Sequence, residues 1–555
     1  MQNGLKSTIT TIKEKEMLFN SYIFIFLFLP LCLLGFYILQ KKQATLAKVW
    51  LTCFSLWFYG YFNVSYLLIM LCSIVGNYGI HRMLVDTGKN ISGNRYVKNI
   101  DGLDTGNKDT KGKKYAHKNK IILITGVTAN LMVLFYFKYY DFFVENVNTL
   151  FGSSFMLRHI LLPLGISFFT FQQISFLVDT YRGELDEVGF VDYALFVSFF
   201  PQLIAGPIVV PEEMLPQFAR IGNDGRLKEE KVEIFTKGIY VFVLGLAKKV
   251  LIADTFGVAV DLAYSNVNGI NGLESLITII FYSLQLYFDF SGYCDMAKGI
   301  AGMFGMKIAN NFNSPYKAVN IVDFWKRWHI TLSRFFTKNI YIPLGGNRKG
   351  EGRMYLNYLI VFFLSGLWHG AGWNFILWGM MHGVLYVITK WWIIRKTAVI
   401  EKRTYNEKGD NQMRSGRKWS KQLLSSFTCL LTFIYVSIAW VYFRAATVEQ
   451  ANILLSNIVT KPWALPGSGF TDAFNLGEFW YVLKILKLAN LPYAQYYIMI
   501  IFTVFALVIT FFGKNIDELA TKFKATVLNA VITAGLFIWC VVSLSGVSTF
   551  LYFNF

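Results

Sequence analysis

The chain has 555 residues, of which 54% are hydrophobic, 17% aromatic and 16% charged, and its 53 Lys and Arg against 34 Asp and Glu give a net charge of +19. A soluble domain carries about a quarter charged residues, and a soluble chain this long divides into several domains joined by polar linkers. Together with a mean hydropathy of +0.42, this excludes an ordinary cytosolic enzyme, a disordered chain and a secreted disulfide scaffold, and leaves an all-α, polytopic integral membrane protein.

Residues 1–16 form a short lead ending in Lys13, Glu14, Lys15 and Glu16, cytoplasmic or peripheral, and 17–555 read as one transmembrane domain. A bilayer core takes about 20 apolar residues as a helix. The first such run, 18–40, has no small-residue cleavage site behind it and reads as a retained helix rather than a signal peptide. The stretch 49–80 is too long for one span and is flanked by Lys48 and Arg82, which fits a hairpin of two short helices. Loop 82–120 follows, with ten Lys/Arg and four Asp; its Lys, Gly and Asn content suggests a mobile cytoplasmic excursion. Spans are expected at 121–140, 160–178, 190–209, 234–253 and 272–290. A second basic segment, 307–353, sets nine Lys/Arg against Asp323 and Glu351. The apolar hairpin 354–394 then leads to a third basic loop, 395–421, with nine Lys/Arg against three acidic residues. Spans at 423–443, 494–512 and 526–548, within the C-terminal segment 423–555, bring the set to about 11–12 transmembrane or re-entrant helices.

Basic loops between apolar runs mark the cytoplasmic side. The charge therefore reads as topology and not as nucleic-acid binding, for which no motif is present. Counting from loop 395–421, the charge-poor 444–493 lies outside, 514–524 lies inside, and the last span carries the C-terminus to the extracytoplasmic face. Cys32, Cys53, Cys72, Cys294, Cys429 and Cys540 lie in or beside apolar runs without CxxC spacing, so neither a disulfide framework nor a metal site is expected.

Ionisable side chains at membrane depth are costly and face a cavity or a partner. The first arm of the hairpin, 354–368, has fifteen residues and rises only about 22 Å. The turn Trp368-His369-Gly370-Ala371-Gly372-Trp373 then stops inside the membrane. His369 there suits either proton transfer near neutral pH or a plain hydrogen bond to a backbone carbonyl. His329 lies in the aromatic, amphipathic run Asp323-Phe324-Trp325-Lys326-Arg327-Trp328-His329, which equally fits an interfacial helix. Asp289 and Asp295 close an apolar run and fit a proton relay or pairing with nearby bases such as Lys298. His382, on the returning arm, reads as structural or supporting.

These blocks, in this order, resemble the membrane-bound O-acyltransferase family, and most closely its bacterial alginate O-acetyltransferase-like branch. They are LPLGISFFTFQ (162–172), PQLIAGPI (201–208), DFSGYCD (289–295), NFNSPY (311–316), WKRWH (325–329), IPLGGNR (342–348), GLWHG (366–370) and WVYFR (440–444). The resemblance implies a ring of tilted helices around a central tunnel, a catalytic histidine at His369 and a second at His329. An acyl thioester already has a good leaving group, and an acceptor hydroxyl needs a base. His369 would be that base, and His329, nearer the cytoplasm, would polarise the thioester or stabilise charge on its carbonyl oxygen. Lys317, Lys326, Arg327, Arg334 and Arg348 suit the phosphates of coenzyme A. Asn313, Asp289, Trp325, Trp328 and Trp368 complete the candidate donor site.

The tail Phe550-Leu551-Tyr552-Phe553-Asn554-Phe555 matches a Phe-x-Tyr-x-x-Phe pattern, although a further Phe found four residues earlier in similar motifs is Gly546 here. By the resemblance Tyr552 is an acyl carrier; on composition alone it belongs to an interfacial aromatic belt. The implied activity is transfer of acetyl from cytoplasmic acetyl-CoA, a substrate and not a resident cofactor, across a bacterial cytoplasmic membrane to an exported polysaccharide or cell-wall glycan. A hydrolase-like extracytoplasmic transferase is the expected partner besides membrane lipid. Transfer of D-alanine or another acyl group to teichoic acid or lipid is the alternative within the fold. A transporter is the alternative outside it, although no internal repeat supports one.

Overall fold

Interruptions in the apolar runs, more than the runs themselves, set where the helices begin and end. The computed structural model describes residues 17–100, 108–223, 225–406, 417–475, 481, 484–487, 491–546 and 550–551. The lead 1–16 and Tyr552 lie outside them. Among the described residues every regular element is helical. Six helices among the described residues are long and apolar enough to cross a membrane: Phe24–Lys42, Val64–Lys89, Ala116–Lys138, Gly272–Met303, Gln422–Arg444 and Ala494–Phe512. The protein is all-α and polytopic.

Several expected spans take a different form. The stretch 49–80 holds Ala44–Phe62 and Val64–Ile100, separated at Asn63, whose extended backbone ends one helix. The Asn63 side-chain oxygen accepts from the Ser65 N–H at 2.8 Å, satisfying an orphan donor of the next helix. The two-helix division expected there thus forms, but the second helix is long, with 37 residues. Helices Val64–Ile100 and Lys108–Lys138 enter loop 82–120 from both sides, so the expected mobile excursion is largely helical. The helix expected at 160–178 begins only at Ile166, after Pro163 and a left-handed Gly165 (φ 71°). The 190–209 span divides into Phe190–Ser198 and Phe200–Leu203, with Pro201 in the first turn of the second piece. The 234–253 span belongs to a longer helix that runs on through Lys228–Ala247, a π-turn at Lys248–Ala253 and Asp254–Ser265. The last span contracts to Val527–Val542 and a 3₁₀ turn, Ser543–Gly546.

The described residues fall into two compact units. One lies within Met1–Phe242, Met296–Ala309 and Leu544–Phe553, the other within Val243–Asp295, Asn310–Ser543 and Asn554–Phe555. In the first, buried amides lock three helices. Asn130 Nδ2 donates to Asn77 Oδ1 at 2.6 Å, and Asn77 Nδ2 donates to Gln173 Oε1. Each such bond spares an amide the cost of isolation in apolar surroundings.

The second unit contains the hairpin, Glu351–His369 and Trp373–Asn406. Its arms meet on glycines. A Cβ on Gly366 would lie 2.4 Å from the Phe375 carbonyl oxygen, and one on Gly379 would lie 2.5 Å from that of Phe362. Only Gly permits this approach. The first arm has 19 residues, a rise of about 28 Å, which is longer than the fifteen residues expected. Its length is thus close to the thickness of a bilayer core, about 30 Å. His369 is the last residue of that helix and not part of the turn.

Candidate active site

The glycine seam carries His369 into an aromatic box. The residue is 2% exposed. Its ring centroid lies 4.8 Å from that of Trp368, 5.0 Å from Trp378 on the returning arm and 5.1 Å from Phe443 at the end of helix Gln422–Arg444. Asn374 fixes that third wall. Its Nδ2 donates to the carbonyl oxygens of Tyr442 (3.2 Å) and Ala445 (2.8 Å), on either side of Phe443. Trp440 stacks on Trp378 at 5.5 Å and extends the box.

His329 arrives from a different part of the sequence. Asn320 caps helix Ile321–Arg327 by accepting from the Asp323 N–H at 2.9 Å. His329 then takes a left-handed conformation (φ 45°, ψ 52°) that breaks this helix from Ile330–Phe336 and turns the ring inward. Such a backbone is strained for a non-glycine residue and persists only where the surroundings hold it. Here Asn311 holds it: Oδ1 lies 3.1 Å from His329 Nδ1, and the Asn311 carbonyl accepts from the Ile330 N–H at 3.0 Å. The ring is fully buried, with Phe290 at 5.0 Å, Trp368 at 5.9 Å and His369 at 6.3 Å. Burial holds its pKa far below the ordinary imidazole value, so it is neutral near pH 7. The geometry thus brings together two histidines forty positions apart in sequence, with Trp368 against both.

A cavity of about 400 Å³ is bounded by Trp325, Lys326, Ile330, Arg334, Tyr358 and Ser365 among others; neither histidine lines it, but Ile330 follows His329 and Ser365 lies one helical turn before His369. Of the five candidate phosphate-binding cations, only Lys326 and Arg334 line it. Lys317 Nζ donates to the Gly513 carbonyl at 2.6 Å, at the C-terminal end of helix Ala494–Phe512. Arg327 pairs with Asp323 at 2.9 Å and donates to the Asn313 carbonyl at 3.3 Å. Asn313 Oδ1 accepts from Asn515 Nδ2 at 2.9 Å. Arg348 is exposed on the turn that follows Tyr341. Trp325 donates to His382 Nδ1 at 3.4 Å, and Trp328 packs on Trp440 at 4.9 Å, 1% exposed.

Asp289 belongs to a different constellation. Lys249, 1% exposed, reaches both Asp289 and Asp254 at 2.7 Å, and Lys248 reaches Asp295 at 2.6 Å. The π-turn supplies both lysines. A Cβ on Gly292 would lie 2.8 Å from the Gly245 carbonyl oxygen, so the two helices close tightly there. Sequence reading named neither lysine, although two adjacent cations within an apolar run are themselves a signal. It also passed over Asn311 and Phe443, each inside a quoted block, and Trp378, which carries no motif of its own.

The chain is similar to known proteins over most of its length. The profile of the MBOAT, membrane-bound O-acyltransferase family, matches residues 113–398, a range that includes both histidines. A peptidoglycan O-acetyltransferase of Helicobacter pylori is 40% identical over 482 residues, 82% of this chain and 82% of the relative. A probable alginate O-acetylase, AlgI, of Pseudomonas aeruginosa is 34% identical over 487 residues, 87% of this chain and 82% of the relative. A teichoic acid D-alanyltransferase of Streptococcus thermophilus is 27% identical over 288 residues, 49% of this chain and 68% of the relative.

Proposed function

The chain belongs to the membrane-bound O-acyltransferase family, and from that premise we propose that it moves an acetyl group from cytoplasmic acetyl-CoA across the membrane for O-acetylation of an exported glycan, of the peptidoglycan or alginate kind. The observation that carries this reading is the His329–His369 pair, buried together, with a cavity whose wall bears Lys326 and Arg334 and takes in Ile330 and Ser365, close to the two histidines in sequence. The two cations suit the phosphates of coenzyme A, and the aromatic lining suits its apolar thioester arm. His369 acts as general base on the accepting hydroxyl. As the proton leaves, the hydroxyl oxygen bonds to the acetyl carbon, the carbon–sulfur bond breaks, and coenzyme A departs as thiolate.

In this reading the helices surround a tunnel through the membrane, the C-terminus is extracytoplasmic, and Tyr552, which lies outside the described residues, is an acyl carrier on that side. A separate hydrolase-like transferase then delivers the acetyl group to the glycan. Tyr552 is tested by intact mass after incubation with acetyl-CoA; an adduct that persists in Tyr552→Phe excludes it. The activity itself is tested with purified protein and labelled acetyl-CoA, alone and with glycan acceptor. Label transfer that is lost in His369→Ala supports the proposal, and transfer only from an aminoacylated carrier supports D-alanylation instead.

A further inference from the structure

We propose that Asn311 is a positioning residue that fixes His329 as its Nδ1–H tautomer, making Nε2 the proton-accepting nitrogen of the neutral ring. The argument turns on an obligate donor. The Thr331 backbone N–H can only donate, and it faces the Asn311 side-chain oxygen at 3.3 Å. That end of the amide is therefore the carbonyl, not the NH₂. The same oxygen lies 2.9 Å from Thr331 Oγ1 and 3.1 Å from His329 Nδ1. An oxygen without a proton makes Nδ1 the donor, and the lone pair of the neutral ring then resides on Nε2. The other end of the amide agrees, since Nδ2 donates to Cys294 Sγ at 3.4 Å. Asn311 is itself 2% exposed, so this orientation is not exchanged with solvent.

The left-handed backbone at His329 belongs to the same device. It places residues 329 to 331 around one amide, with the Ile330 N–H on the Asn311 main-chain carbonyl and Thr331 on its side chain. A residue serving only to cap helix Ile330–Phe336 would need the Ile330 and Thr331 contacts alone. The contact to Nδ1 adds chemical direction. Its catalytic consequence rests on the acyl-transfer reading: a neutral His329 takes up a proton through Nε2, and cannot donate one from there to a thioester carbonyl until the ring is charged. This revises the polarising role that the family resemblance implies for His329. The titratable groups facing the ring are His369 from the hairpin and Cys294, through Asn311, from helix Gly272–Met303; Phe290 and Trp368 are uncharged neighbours.

The test uses the full chain, labelled with ¹⁵N-histidine, with His329→Gln to assign the signal. Long-range proton–nitrogen correlation should show His329 with a pyrrole-type Nδ1 and a pyridine-type Nε2. Asn311→Ala should average the two toward mixed tautomers. Asn311→Asp keeps the acceptors for Thr331 but places an anion against Nδ1–H, which raises the imidazole pKa. The His329 nitrogen signals should therefore titrate at a pH about one unit higher in Asn311→Asp than in the native protein. An Nε2–H tautomer in the native protein, or an unmoved His329 titration in a folded Asn311→Asp variant, overturns the proposal. Absence of acetyl transfer from the native protein would instead defeat the acyl-transfer reading, and the tautomer would still be decided by the nitrogen signals.

Discussion

Helix Gly272–Met303 serves two buried polar groupings that treat charge in opposite ways. Asp289 and Asp295 meet Lys249 and Lys248 at 2.7 and 2.6 Å, and Asp254 shares Lys249. Phe290, the next residue along, packs instead against His329, whose own neighbours are aromatic rings, Asn311 and a second histidine. In the first grouping every ion has an opposite ion within hydrogen-bond distance, so the charges hold helices to one another. In the second, burial keeps His329 neutral, so the ring carries no charge to be matched. Burial alone therefore does not tell the two groupings apart. What does is how charge is handled, matched in one and removed in the other.

The sharpest way to break this contrast is His369→Ala. Acetyl transfer should fall by about 10²–10⁴-fold, the usual contribution of a general base, while yield and thermal unfolding stay as in the native protein. Lys249→Met should do the reverse. Removing one member of a buried ionic cluster costs about 3–5 kcal/mol, because its carboxylate partners remain buried and unmatched. Thermal unfolding in detergent should show the loss, and adding Asp289→Asn should restore part of it. If Lys249→Met abolished turnover in a protein of native stability, the cluster would have to be counted with the chemistry.

Lys326→Ala and Arg334→Ala sharpen the contrast at the cavity wall. Each should raise KM for acetyl-CoA by about tenfold with kcat little changed, the pattern of lost ground-state and transition-state binding alike. The smallest effect is expected for Arg348→Ala, exposed and away from the cavity. Its KM should stay within about twofold of native, since an isolated surface charge contributes little. A large rise there would move the donor site away from the cavity.

Much of this was legible in the residues. Helix class and the hairpin turn near His369 follow from apolar run lengths, whereas the two histidines stood out as ionisable groups among apolar residues and took their roles only from the family resemblance. Helix ends were less legible, because they depend on single residues whose effect is local: the Asn63 break, the Gly165 turn and Pro201 are visible only once the run is treated as interruptible. The surroundings of the candidate cations were the least legible. A lysine's charge is plain in the sequence, but whether it reaches a ligand or a carbonyl, as Lys317 reaches Gly513, is decided by which helix end lies opposite. Nor does any local pattern announce that Phe443 walls His369, since that contact spans more than seventy positions and is set by the Asn374 bonds.

The π-turn at Lys248–Ala253 has a consequence for chain length. Such a turn contains one residue more than the α-helical turn it replaces, and each residue advances a helix by about 100°. Winding the same six residues as regular α-helix would therefore turn everything from Asp254 to Ser265 by about that angle, whereas removing one of them would restore the α-helical turn and keep that piece facing as it does. Asp261, in that piece, pairs with Arg444 at 2.7 Å, and Arg444 directly follows the phenylalanine that walls His369. The extra residue thus sets which face Asp261 presents to Arg444. A one-residue deletion within 248–253 should keep the Asp261–Arg444 pair and instead displace Lys248 or Lys249 from its carboxylates.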